Sequence, residues 1–490
     1  MVAIEERTSG TTSARAALGA VGLGYLLVSW GLGPITAILP TIAADTSLHA
    51  AQAFDGATGR DLAAAGWVMN AYFLLVVASV LIVGRLGDLL GHRLVFTSGV
   101  AVFGLGALAS ALAPGLAWLV AARALQGLGA AMVYGTSLAL VAEALPGTRR
   151  GLAVGVVTMS ASVASFLGVA FSAYAVEQLS WRWAFWIQVP LAVLALAATS
   201  GLPAHPSTER VFDLLRRLDW RGGLLLFGAL SVATLSLDHV HEGEQSFGAG
   251  AHYHLPMHAL ALVLLLAFMR VESVVKNPLL RLRMLRDGRF AASVFANGVA
   301  HMSMLSAGFV IPFLLERGRG LSPSDTRDTL VVMQLATVVF SVGAGWLYDR
   351  RPASVLQWLT FGGIAGGLLA FGLVGGALPY GPFVLTAAVL GASQGAFSTV
   401  NNAAVIATAD PSERGSAAGL LETTRHLGHS LGVSLSSGVL ESLVVGVAVA
   451  DLAGAYRDGF EQASLAMAAL AGLAVAVIFW SERRPARASL

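Results

Sequence analysis

The 490-residue chain contains no cysteine, so disulfides, thiolate metal sites and thiol catalysis are excluded. Charge is also scarce. Asp, Glu, Lys and Arg make up 12% of the residues, about half of the roughly 25% usual in a soluble domain. Lysine is nearly absent, and Arg supplies every cationic side chain except Lys276. A net charge of +2 offers no electrostatic footprint for nucleic acid. No Walker-type phosphate loop is present, so ATP is not expected to drive the protein. Hydrophobic residues make up 56% and mean hydropathy is +0.73. Most of the surface is therefore expected to face the lipid bilayer, in an all-α membrane protein.

A helix needs about 20 apolar residues to cross the hydrocarbon core. On that criterion fourteen spans are expected, near 17–43, 62–84, 94–114, 116–144, 151–175, 183–202, 222–238, 256–272, 290–315, 328–348, 355–376, 381–408, 415–445 and 459–480. The second half of the chain repeats the first. Gly127 to Gly155 lies over Gly391 to Gly419 without a gap, an offset of 391 − 127 = 264. Gly84-Arg-Leu-Gly-Asp88 lies over Gly345-Trp-Leu-Tyr-Asp349, an offset of 345 − 84 = 261. Parallel repeats with a midplane site between them are a transporter architecture.

Six spans with short turns take about 200 residues, so the longer offset leaves room for two more helices. The expected plan is a six-helix bundle over 1–202, a linker with two additional transmembrane helices over 203–289, and a second six-helix bundle over 290–490. With the N-terminus inside, cytoplasmic segments and span ends carry 22 of the 30 Lys and Arg, and external loops carry six. This bias puts both termini in the cytoplasm of a plasma (inner) membrane protein. The expected partners are the bilayer and a small-molecule substrate, the expected state a monomer.

Several motifs resemble the major facilitator superfamily. Gly84-Arg-Leu-Gly-Asp-Leu-Leu-Gly-His-Arg93 is similar to its loop 2–3 signature, and Leu119-Val-Ala-Ala-Arg123-Ala-Leu-Gln126-Gly127-Leu-Gly129 to its span 4 signature. Trp181-Arg-Trp-Ala-Phe-Trp-Ile-Gln-Val-Pro190, Leu218-Asp-Trp-Arg-Gly222 and Arg425-His-Leu-Gly428 resemble the fourteen-helix branch of drug:proton antiporters. The resemblance implies proton-driven efflux of hydrophobic or amphiphilic compounds by alternating access, with no cofactor beyond the proton gradient. Three positions depart from the pattern. The acid usual in span 1 is replaced by Gly31, the Gly-Pro signature of span 5 reads Gly168-Val169, and the Arg after the loop 2–3 Asp is Leu89. A facilitator or symporter of a small metabolite is therefore the alternative.

A charge at mid-membrane costs roughly 2.5–3.5 kcal/mol on insertion scales, so each one needs a reason. Arg123 lies seven residues into span 4. The resemblance implies a role in proton coupling; the alternative is packing on backbone carbonyls. Glu422 and Arg425 share one face of span 13 and either carry protons or form a structural pair. His426 and His429 follow on the same helix. Asn297 and His301 share a face of span 9, which the resemblance places on the cavity. His301 is a second protonation candidate, since histidine changes charge between pH 5 and 8.

The resemblance makes Asp88 a gating residue that latches onto the start of span 13, with Gly84 and Arg93 in the same motif and Asp349 as its pseudo-repeat counterpart. Substrate-facing candidates are Trp30, Asn70, Tyr72, Gln126, Tyr134, Asn297, Gln394, Asn401 and Asn402. Five histidines between and within spans 7 and 8 match no tight metal spacing, so no metal is expected. No nucleophile–base pair indicates an enzyme.

Overall fold

The computed structural model describes residues 2–31, 33–43, 45, 60–144, 163–171, 174, 178–202, 219–237, 247–275, 278–280, 282–348, 350–408, 414–444 and 447–483. Among them all regular structure is helical, with no strand. This follows from solvent: without water every backbone N–H and C=O must be satisfied within its own segment.

Among the described residues eleven helices are long and apolar enough to cross a membrane. Three expected spans fall outside that set for different reasons. Span 5 is described only at 163–171 and at Tyr174. Span 7 is the short helix Trp220–Leu237. Span 13 is the 31-residue helix Arg414–Val444, whose Glu422, Arg425, His426, His429, Glu441 and serines dilute its hydropathy.

The first span is two helices, α1 (Val2–Trp30) and α2 (Gly33–Ala43). They part at Gly31, whose N–H donates to the carbonyls of Leu27 and Val28 at 3.3 and 3.1 Å. Then follow α3 (Arg60–Leu90), α4 (His92–Ala111), α5 (Leu116–Ala144), α6 (163–171), α7 (Trp183–Trp186) and α8 (Gln188–Ala198). Two intervening helices are α9 (Trp220–Leu237) and α10 (Phe247–Glu272). The remainder are α11 (Gly288–Phe313), α12 (Pro323–Tyr348), α13 (Ala353–Val374), α14 (Tyr380–Thr408), α15 (Arg414–Val444) and α16 (Leu452–Arg483). Asp287 caps α11 by accepting from the N–H groups of Arg289 and Phe290 at 2.8 and 3.0 Å.

The two ends of the chain pack by the same scheme. The α3–α5, α4–α5, α1–α8 and α4–α8 contacts recur as α12–α14, α13–α14, α11–α16 and α13–α16. One glycine in each half shows why the sequence repeats. A Cβ at Gly127 would overlap the carbonyl of Tyr72, and a Cβ at Gly391 would overlap that of Met333. These positions differ by 391 − 127 = 264 and 333 − 72 = 261, the two offsets of the sequence repeat. Lipid provides no hydrophobic drive between helices, so small residues that let backbones approach set the packing.

The halves meet along α3 and α15 and along α2 and α11. Asn70 Nδ2 donates to Ser434 Oγ at 2.9 Å, and Arg317 Nη2 donates to the Pro40 carbonyl at 3.3 Å. The α9–α10 pair packs on α3, where Gly223 seats against Ile82, and Leu226 and Phe268 join Leu420 and Leu421 of α15. Apart from such contacts α10 is mostly exposed.

Candidate functional site

Two guanidinium groups lie in the interior, and their surroundings differ. Arg123 on α5 is fully buried. Its Nε donates to the Val68 carbonyl at 3.0 Å, and Nη1 donates to the Gly31 carbonyl at 3.3 Å and to Gln126 Oε1 at 2.8 Å. Gly31 lies between α1 and α2, and its carbonyl accepts from this guanidinium. The guanidinium lies 4.5 Å from the Tyr72 ring centre and 5.8 Å from that of Phe185, within cation–π range. Gln126 passes the network on, donating from Nε2 to Gln188 Oε1 at 2.9 Å. No described carboxylate contacts Arg123.

Arg425 is paired. Its Nη1 sits 2.9 Å from Glu422 Oε1 and 3.2 Å from Oε2, one helical turn away on α15. Tyr25 of α1 and Tyr134 of α5 are its neighbours from the other half, with their rings edge to face at 5.0 Å. His426 Nε2 is 3.6 Å from Glu422 Oε2, within charge-pair range but beyond a good hydrogen bond. His301 Nδ1 lies 3.1 Å from His429 Nε2. Two glycines create that meeting: a Cβ at Gly428 or Gly432 would overlap the carbonyls of Gly298 and Met302, so α15 runs directly against α11. The other half closes over the cluster, with Tyr134 against His426 at 4.8 Å and Phe73 against His429 at 5.1 Å.

The cluster thus holds one carboxylate, one guanidinium and three imidazoles at the seam of the two halves. His301 Nε2, both ring nitrogens of His426, His429 Nδ1 and Ser430 Oγ have no hydrogen-bond partner in the protein. Buried polar atoms are normally paired, so this many left over in one place single the cluster out as the candidate site. Among the described residues no group of acids and histidines could hold a metal ion.

The other expected substrate contacts divide into two sets. Asn297 donates to the Leu421 carbonyl and to Thr424 Oγ1, both at 2.9 Å, tying α11 to α15. Asn401 accepts from Gln357 at 2.9 Å and donates to the Ser293 carbonyl at 3.2 Å, while Gln126 serves Arg123. These three hold helices together. Both polar atoms of Gln394, Asn402 Oδ1 and Trp30 Nε1 remain without protein partners and buried, and the buried Tyr72 hydroxyl lies beside that of Tyr134. Trp30 packs on Phe171 at 5.9 Å.

Asp88 is half exposed at the end of α3, where Oδ2 accepts from Arg85 and Oδ1 lies 3.2 Å from His92 Nε2. Arg93 turns away from it. Its Nη1 donates to the Leu202 carbonyl at 2.8 Å and Nη2 to that of Ser200 at 3.4 Å, clamping the end of α8. Gly84 lets α3 approach α5 at Gly135. Asp349 lies outside the described residues, as do 409–413 before α15. Sequence reasoning missed Tyr25, Phe73, Phe185 and Gln188. Phe185 and Gln188 lay inside the 181–190 motif and Tyr25 and Phe73 in apolar stretches, but the roles of all four come from neighbours on other helices.

Such a site, buried between two duplicated helical halves, is that of a secondary transporter. Residues 21–433 match the model of the Major Facilitator Superfamily, and the chain belongs to that family. It is 30% identical to the cephamycin export protein CmcT of Amycolatopsis lactamdurans over 95% of this chain and 93% of that protein. It is 26% identical to the riboflavin transporter RibZ of Clostridioides difficile over 81% and 82%. A bacterial homologue of the human lysosomal transporter Spinster, solved inward-facing and unoccupied, shares the fold with a TM-score of 0.65 at 14% identity, over 96% of this chain and 97% of that one. The protein is a transporter and not an enzyme.

Proposed function

We propose that the chain is a proton-coupled exporter of small hydrophobic or amphiphilic compounds, working by alternating access in the fourteen-span branch of the family. It sits in the plasma (inner) membrane as a monomer, both termini cytoplasmic, with the proton gradient as its energy source and no cofactor. One observation carries the reading: Glu422 is held by Arg425 beside three histidines where the halves meet. Rocking of the halves changes what faces this carboxylate. The carboxylate then meets Arg425 in one state and other surroundings in the next. The cephamycin exporter among the relatives supports the direction of transport.

In this reading Glu422 is the proton carrier and His301 the second candidate. Arg123 tunes the site without titrating, Asp88 gates it, and Trp30, Tyr72 and Gln394 face the substrate. The second reading, a facilitator or symporter, is favoured by Gly31 and Val169 and by the relative named a riboflavin transporter. Everted vesicles from cells producing the protein separate the two. An exporter accumulates a fluorescent amphiphile, and a protonophore abolishes the accumulation. Uptake that only equilibrates, unchanged by the protonophore, favours the facilitator.

A further inference from the structure

The charge of Arg123 has no carboxylate against it: Glu422 contacts Arg425, and the other buried acid of α15, Glu441, is not among the groups that act on Arg123. All three acceptors of Arg123 are neutral: two backbone carbonyls and the amide oxygen of Gln126.

Hydrogen bonding is unbalanced in the same direction. Arg123 Nη2 has no acceptor. The Tyr72 hydroxyl, on the ring that packs on this guanidinium, lies beside Tyr134 without a hydrogen bond of normal geometry. Trp30 Nε1, one residue before the Gly31 carbonyl, is also without an acceptor. An unpaired donor thus sits on an uncompensated guanidinium, with the Tyr72 ring packed on it and Trp30 next in sequence to its Gly31 acceptor. A guanidinium and donors of this kind recognise an oxyanion, and an approaching cation is repelled by the same charge.

We propose that the transported ligand carries an anionic oxygen group, a carboxylate on an aromatic or otherwise apolar body, and that Arg123 binds it with help from Tyr72 and Trp30. The inference rests on the exporter reading and names its substrate class. A resident chloride counter-ion would satisfy the same charge, and the test separates the two.

The probes are 1-naphthylacetate, its neutral amide and (1-naphthylmethyl)trimethylammonium, titrated against the purified full-length protein by tryptophan fluorescence. Charge-assisted hydrogen bonds predict binding of the carboxylate at least about tenfold tighter than the amide, with the quaternary ammonium weakest. Arg123→Gln should collapse the carboxylate-to-amide ratio towards one. Should that variant fail to fold, a Gly31 pair reads the same effect. Gly31→Asp places a competing carboxylate beside Nη1 and should erase the preference, whereas Gly31→Asn, of equal size and neutral, should keep it. A Cβ there meets Phe103 Cζ at 2.9 Å, so both variants carry the same steric load. Equal binding of all three probes, or preference for the ammonium, overturns the inference while leaving the exporter reading standing. Binding of none of them overturns both. A fluorescence response to chloride alone that needs Arg123, with no preference for the carboxylate, assigns the charge to a counter-ion and also overturns the inference.

Discussion

Arg425 has a carboxylate one turn away and Arg123 has none, and this difference shapes what each residue can do. In the exporter reading the paired carboxylate carries the proton, whereas a guanidinium among carbonyls stays charged. Glu422→Gln should therefore abolish pH-driven accumulation while leaving downhill exchange of substrate, measured in the same vesicles. If Glu422→Gln keeps its full response and His301→Ala loses it, the proton site is His301. The Glu422–Arg425 pair was legible because three-residue spacing puts two side chains on one helical face. The approach of His301 to His429 was not, because it depends on the register of two helices 128 residues apart in sequence. Tyr25 and Phe73 were hidden for the same reason. Arg123 was visible as a charge within an apolar run, but its bond to the Gly31 carbonyl, between α1 and α2, was not.

Among the helices, glycine decides who touches whom. Gly127 and Gly391 seat α5 on α3 and α14 on α12, and Gly428 seats α15 on α11. Replacing Gly391 by Val drives a branched side chain into the Met333 carbonyl. Overpacking of this kind costs about 1–3 kcal/mol, so the variant should melt several degrees below wild type in detergent. An unchanged melting temperature contradicts the close approach. Gly428→Val should also separate His301 from His429 and lower transport even in the fraction that folds. Most helices and the repeat were legible because apolar runs and self-similarity are properties of the chain alone. The split of the first span at Gly31 and the π-turn at Leu314–Gly318 after Pro312 were not. They are backbone adjustments that tertiary neighbours fix. Span 13 shows the opposite case. The helix is present, but its polar residues weaken the hydropathy signal that identifies a span.

For the molecule as a whole, transport requires two states of similar energy and a way to bias them. Asp88, half exposed and shared between Arg85 and His92, sits where one carboxylate can favour a state without touching substrate. Asp88→Asn should slow turnover and leave binding affinity and folding nearly intact; normal turnover would remove it from the gate. The family and its duplication were legible as repeat and motif, while substrate class and coupling depend on contacts made only when the halves are assembled. The most direct measurement is transport by the purified protein in liposomes with pH gradients imposed in both directions. The account predicts that substrate accumulates in vesicles acidic inside and is depleted from vesicles alkaline inside. Uptake that ignores the gradient, or accumulation only when the lumen is alkaline, contradicts it and identifies a facilitator or a symporter.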